Sequence, residues 1–160
     1  MRENASHLAS EGHRLRQALT AWRAINSDLL DLVTDLTGDA LDHTGLLANA
    51  FSAATSIYLS GIYDYTTALW HSWGVSVPTL AMEDVKSHVV TILDSTRYAL
   101  DHTNISHLLY LFPLRVAGAR CTDQCQRNQV LTLLRRVGTN FVVAQAFEGD
   151  LRRLWAKPQV

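Results

Sequence analysis

The sequence predicts an all-α protein. Apolar residues recur every three or four positions along most of the chain, and no stretch alternates with the two-residue period of a strand. The breaks between periodic segments carry Gly, Pro, Asp or Asn at helix-stop and helix-start positions. At 160 residues with 48% hydrophobic side chains, the chain is long enough for one real core and short for two. The expected architecture is a single-domain helical bundle or irregular array of six to seven helices, with residues 1–6 a disordered polar start and residues 7–157 the domain.

Helical periodicity sets in near His7. Leu8, Leu15, Ala18, Leu19, Trp22, Ile25, Leu29, Leu32, Val33 and Leu36 form the apolar stripe of a long amphipathic helix, with Gly12 weakening its first turns. Thr37-Gly38-Asp39 then supplies a stop and a fresh N-cap. From Leu46 to Tyr63 there is no charged residue, a length marginal for a membrane span. Asn49, Ser52, Thr55, Ser56 and Ser60 interrupt it, so a central buried helix is the reading taken. Its apolar set is Leu47, Ala50, Phe51, Ala54, Ile57 or Tyr58, Gly61, Ile62, Tyr65 and Leu69. The second face, Asn49, Ser52, Ser56, Ser60, Tyr63 and Thr67, either lines a pocket or satisfies itself on carbonyls of the preceding turn, and the latter is the plainer reading.

Trp70-His71-Ser72-Trp73-Gly74 and the segment to Pro78 read as the main loop. Helix resumes from Glu83 to Asp101, burying Val85, Val89, Ile92, Leu93, Thr96 and Leu100. Thr103 or Asn104 caps the next helix. Leu108 to Cys121 is the stretch around which the rest is arranged: an apolar helical run with Pro113 in mid-course. Proline lacks an N–H and disfavours helix at Phe112, which predicts a kink there or two short helices sharing one apolar face. Gly118 and Ala119 admit a close neighbour. Asp123 is expected to cap a helix bearing Val130, Leu131, Leu134 and Val137, which Gly138 ends. Asn140 is expected to cap the last, with Phe141, Ala144, Phe147, Leu151, Leu154 and Trp155 on its apolar side and Arg152 and Arg153 near its end.

Composition narrows the function classes. Fourteen Lys plus Arg against fifteen Asp plus Glu give a net charge of −1, without the clustered cations that displace counterions from phosphates. Direct nucleic-acid binding is therefore not expected. Charged residues are 18%, below the usual share of roughly a quarter, so spare apolar surface for a protein partner, a small apolar ligand or a second copy is expected. The polar start has no apolar signal core, and two cysteines fit a reducing compartment. The expected location is the nucleus or cytoplasm, with no membrane span and no secretion.

Few residues suggest chemistry. Cys121-x3-Cys125 lacks two further ligands at motif spacing, so no metal is expected, and no cofactor motif is present. Ala-Leu-Asp-His-Thr occurs at residues 40–44 and again at 99–103. If the chain is an enzyme, Asp42, His43, Asp101, His102 and His107 are the candidate acid–base groups around an apolar cavity. The plainer reading has them capping helix ends in water, since no nucleophile or phosphate loop accompanies them. Ser56, Ser60, Tyr63, Trp70 and Trp73 are the candidate ligand or partner contacts, the two tryptophans because they adjoin a loop. The seven arginines of the last third, with Asp123, Glu148 and Asp150 among them, read as a solvated face.

Leu111-Phe112-Pro113-Leu114-Arg115-Val116-Ala117-Gly118, followed by a polar turn and an Arg-bearing amphipathic helix, resembles the C-terminal end of the regulatory region of fungal binuclear zinc-cluster transcription factors. Ala50 to Leu59 is similar to an aromatic-rich helix of that region, and Leu154-Trp155 to its closing helix, so the resemblance spans roughly residues 20–155. The six cysteines of the zinc cluster are missing here, as is most of the middle regulatory region. The resemblance implies an all-α regulatory and interaction module that acts through protein contacts or a small apolar effector and does not bind DNA itself. The alternative is a small cofactor-free isomerase or cyclase acting on an apolar metabolite, built on the same scaffold.

Overall fold

A computed structural model describes residues 2–28, 43–64 and 66–157. Among the described residues every regular element is helical. They are α1 (Arg2–Ile25), α2 (His43–Asp64), the short α3 (Thr67–Ser72), α4 (Met82–His102), a 3-10 turn (His107–Tyr110), α5 (Leu111–Arg120), α6 (Gln124–Gly138) and α7 (Val143–Trp155). The all-α expectation holds. The Thr37-Gly38-Asp39 turn and the apolar positions from Leu29 to Leu36 lie outside the described residues.

α2 is the axis. α4 packs along it, α5 lies across both, and α6 and α7 close over the far side of α5. α2 meets a length and composition test for a membrane span over Thr44–Asp64, but 61% of that window is buried inside the protein, as a core helix requires. Its hydroxyl row turns to its own backbone: Ser56 Oγ donates to the Ser52 carbonyl at 2.9 Å and Ser52 Oγ to the Asn49 carbonyl at 3.1 Å. α4 buries Val85, Val89, Ile92, Leu93, Thr96 and Leu100, the stripe its periodicity indicates, and Thr96 Oγ1 donates to the Ile92 carbonyl at 2.7 Å. Asp123 caps α6 by accepting from the Gln126 amide at 2.8 Å. The last helix begins at Val143, without a cap from Asn140.

Pro113 does not kink its helix. The chain runs through the 3-10 turn and α5 begins at Leu111, which leaves Pro113 in the first turn, where its missing N–H has no intrahelical acceptor to lose. Of the two outcomes the proline allowed, the break occurs, but it falls upstream at Tyr110. Leu111, Pro113, Leu114, Val116, Ala117 and Gly118 are all buried, so this segment is the keel of the main core.

α1 departs most from expectation. It is helical from Arg2, and Ala5 and Ala9 are buried, so residues 2–6 are not a frayed start. It also packs on a different face. Leu8, Leu15, Trp22 and Ile25 are exposed, while Ala5, Ala9 and Gly12 face the body. The reason is steric: a Cβ on Gly12 would collide with the Tyr63 hydroxyl and sit 2.9 Å from Pro78 Cγ, so only small residues permit this approach. Polar contacts then fix it, Tyr63 Oη donating to the Leu8 carbonyl at 3.1 Å and Arg16 Nη2 to the Pro78 carbonyl at 3.1 Å.

This interface has a pH consequence. His88 on α4 is held below its ordinary pKa of 6.5, first by burial and then by the Arg23 charge, with Arg16 adding to it and Asp84 opposing. The folded state resists the proton that the unfolded chain accepts below about pH 6.5, so acid favours unfolding and this contribution is intact above that value. Stability is expected to fall from pH 7.5 to 5.5 with a slope of at most about 1.4 kcal/mol per pH unit from this group. His88→Gln should flatten that slope, read by urea unfolding at the two pH values. An unchanged slope would remove His88 as its source.

Candidate functional site

Among the described residues, α2 and α5 enclose a groove of about 560 Å³ with apolar walls. Its α2 wall is Ile57, Tyr58, Gly61 and Ile62, and its α5 wall is Phe112, Arg115, Val116, Ala119 and Arg120. Two local features open it. Gly61 lies inside a helix, and a Cβ there would meet nothing within 4 Å, so the missing side chain leaves space. Ala119, opposite, is the other small residue. Large apolar groups form the rim: Tyr58 is 59% exposed, Ile62 49% and Phe112 39%. Phe112 is fixed between Tyr58, at 6.1 Å edge-on, and Phe51, at 5.8 Å.

Both cations of the groove are anchored from behind. Arg115 donates through Nε and Nη2 to Asp150 Oδ2 at 3.2 and 2.8 Å. Arg120 Nη2 donates to Asp64 Oδ2 at 2.5 Å, and Asp64 also accepts from Ser60 Oγ at 3.1 Å. Ser60 Oγ in turn accepts from the Leu80 amide at 2.9 Å, which ties the incoming loop to the end of α2. The result is a preformed apolar cleft with two oriented guanidinium groups at its edge. It offers shape and dispersion contacts to an apolar body, and it brings no acid–base pair together.

The residues singled out from sequence lie elsewhere. Ser56 and Ser60 are buried on the opposite side of α2 from Tyr58 and Ile62. Tyr63, Trp70 and Trp73 form an edge-to-face stack, with centroids 5.5 and 5.7 Å apart, that receives Ala5 and Leu59. Trp70 belongs to α3 and is buried; the loop begins only after Trp73. Burial raises the Tyr63 pKa. A smaller depression of about 340 Å³ beside Trp70 is lined by His71, Ser76 and Thr79 among others.

Asp42 lies outside the described residues, and His43 is described only as the first residue of α2. Asp101 is ion-paired with Arg136 at 2.6 Å. The His102 ring stacks on Tyr98 at 4.1 Å with Nδ1 3.1 Å from the Tyr98 carbonyl, and His107 opens the 3-10 turn. Asp101 lines an open depression with Arg97, Cys125, Gln129 and Arg136, and neither histidine is among its walls. Burial, seconded by Asp123, pushes the Cys121 thiol up to about 12, so it stays protonated at neutral pH, while Cys125 is exposed. Among the described residues no three His, Cys, Asp or Glu side chains converge as a metal site.

The sequence reading placed Gly61 in the apolar set of its helix and took Ala119 as a point of close helix approach, and did not join the two as the walls of a groove. The available signal was that α2 carries apolar residues on more of its circumference than one packed face uses. Tyr58 and Ile62, four apart, fall outside the buried set of Ala53, Ala54, Ile57 and Ser60.

The sequence profile of the fungal specific transcription factor domain family matches residues 1–158, nearly the whole chain. No curated protein and no solved structure matches it.

Proposed function

Because the chain belongs to the fungal specific transcription factor domain family, we propose that it is a regulatory module that takes a small apolar effector in the α2–α5 groove and acts in the nucleus without binding DNA itself. The observation that carries this reading is the groove: about 560 Å³, apolar on both walls, and open because Gly61 has no side chain. That volume lies in the range of about 300–1,000 Å³ that small-molecule sites occupy. The segment that resembles the transcription-factor regulatory region also forms one wall of the groove, so an occupant would bear directly on the keel of the core.

The cations argue against a phosphate-binding face. Arg115, Arg120, Arg135, Arg136, Arg152 and Arg153 each hold a carboxylate, and Arg127 lies 5.3 Å over the Trp155 ring. The four carboxylates Asp64, Asp101, Glu148 and Asp150 thus offset part of this charge and lower the counterion release on offer.

Filling the groove tests the reading. Gly61→Trp sends an indole into the groove from a position where a Cβ meets nothing within 4 Å, and leaving glycine in a helix interior itself costs up to about 1 kcal/mol. The variant is expected to fold with unchanged or slightly higher Tm. Saturable binding of the apolar fluorophore 8-anilinonaphthalene-1-sulfonate should weaken by about tenfold or more. Equal binding by both proteins would place the probe elsewhere and sink the groove as the ligand site.

A further inference from the structure

α1 turns its small residues inward and its large ones out. Leu8 and Leu15 are 48% exposed, Trp22 40% and Ile25 83%, whereas Ala5 and Ala9 are buried. Leu8, Leu15 and Trp22 are seven residues apart, and Ala18 and Ile25 follow Leu15 and Trp22 by three. Alternating steps of three and four keep one seam facing a partner helix, and this seam lies about a quarter turn from the face that α1 lays on the body. We propose that α1 pairs antiparallel with α1 of a second copy of the chain, forming a two-fold symmetric dimer.

Size and charge select this occupant and this direction. In an antiparallel register centred level with Thr20, Leu15 faces Ile25 of the second copy and Ala18 faces its Trp22, each pair occurring twice, and Ala21 meets its own copy on the flank. The small Ala18 leaves room for the indole, which a parallel pairing would instead set against its own copy. The same register brings Arg14 and Asp28 of the second copy together on the outer flank, offset by two residues or about 3 Å of rise and within reach of the arginine, again twice. A parallel register puts Arg14 against Leu19 and Ala21 against Asn26, with no charge pair. Both members are accessible: Asp28 is exposed and, among the described residues, accepts only from its neighbour Ser27 Oγ at 3.4 Å, and Arg14 is exposed and holds Glu11, one turn away, at 2.9 Å. The Asn26 amide still bonds the Trp22 carbonyl at 3.1 Å and residues 27 and 28 are helical, so the helical phase reaches Asp28. Self-complementarity of this kind is what a two-fold interface demands.

The seam from Leu15 to Ile25 is only about 15 Å long, so a weak dimer is expected, with dissociation on the order of tens of micromolar. Light scattering of the purified chain across about 5–500 µM should show monomer passing to dimer, and Leu15→Asp, at a half-exposed position, should leave a folded monomer. Arg14→Asp and Asp28→Arg should each weaken association about threefold or more, and the two together should restore it. In a Cys125→Ser background a short bis-maleimide should join Ala21→Cys to its own copy and fail to join Glu11→Cys. A chain that stays monomeric throughout, a dimer indifferent to Leu15→Asp, single charge variants without effect or not rescued by their combination, or cross-linking through Glu11→Cys in place of Ala21→Cys would overturn the proposal.

Discussion

Replacing Gly118 with leucine is expected to lower the free energy of unfolding by about 3 kcal/mol, measured by urea titration. A Cβ at this position would stand 2.5 Å from Leu151 Cδ1 and 3.1 Å from Val130 Cγ1. Those atoms have little room to yield, because Leu151 and Val130 are both fully buried. Glycine here is what lets α7 cross α5 closely enough for Trp155 Nε1 to donate to the Gly118 carbonyl at 2.9 Å. Gly118→Ala should cost less than the leucine, on the order of 1 kcal/mol, because one methyl displaces only the end of Leu151. If the two substitutions cost the same, overpacking is not the mechanism.

Leu114→Ala is the converse case and is expected to cost about 2–5 kcal/mol. Leu114 is fully buried in the core cluster that holds Ile57 from α2, Val89 and Ile92 from α4 and Leu134 from α6. Truncation leaves a void between elements that are held apart by their own packing and cannot collapse into it. The same urea titration measures it, and a loss below about 1 kcal/mol would mean that α5 is not the keel on which the other helices rest. Both substitutions act on the helix that forms one wall of the groove, but from its buried side. Gly61→Trp acts on the groove from its open side and leaves the side chains packed beneath it in place, and this separates loss of fold from loss of site.

Where one element sees one environment, the sequence was legible. α4 and α6 each bury one stripe and show water the other side, so every residue their periodicity marked is buried, with Ser95, Ala99 and Leu133 added by the structure, and Asp123 announced its own cap. The close approach at Gly118 was likewise foreseeable from small residues in an apolar helix. α1 misled because burial there follows size rather than hydrophobicity. Ala5, Ala9 and Gly12 admit Tyr63 and Pro78, and the larger Leu8, Leu15 and Trp22 are left outside. Periodicity ranks leucine and tryptophan above alanine and glycine and so pointed to the wrong face.

The candidate site was illegible for a related reason. A groove is made by what is missing between two helices, and Gly61 and Ala119 lie 58 positions apart in the chain. Hydroxyls and tryptophans attract attention as contact residues, yet Ser56 bonds its own backbone and Trp70 is packed beneath α1. The repeated Asp-His pair likewise has unrelated surroundings: Asp101 bridges to Arg136 while its neighbour His102 lies flat on Tyr98. Adjacent helical side chains point about 100° apart, so adjacency in sequence does not converge them on one cavity.

Regulation through the α2–α5 groove is tested most directly in a fungal cell. The full chain is fused to a heterologous DNA-binding domain, and transcription is measured from a reporter carrying that domain's site, with wild type beside Gly61→Trp at matched protein level. The wild-type fusion is expected to change reporter output relative to the DNA-binding domain alone, and the filled groove to shift output away from the wild-type level while the protein remains folded. Output from both fusions equal to that of the bare DNA-binding domain would contradict a regulatory role, and a wild-type effect unchanged by Gly61→Trp would contradict the groove as its seat.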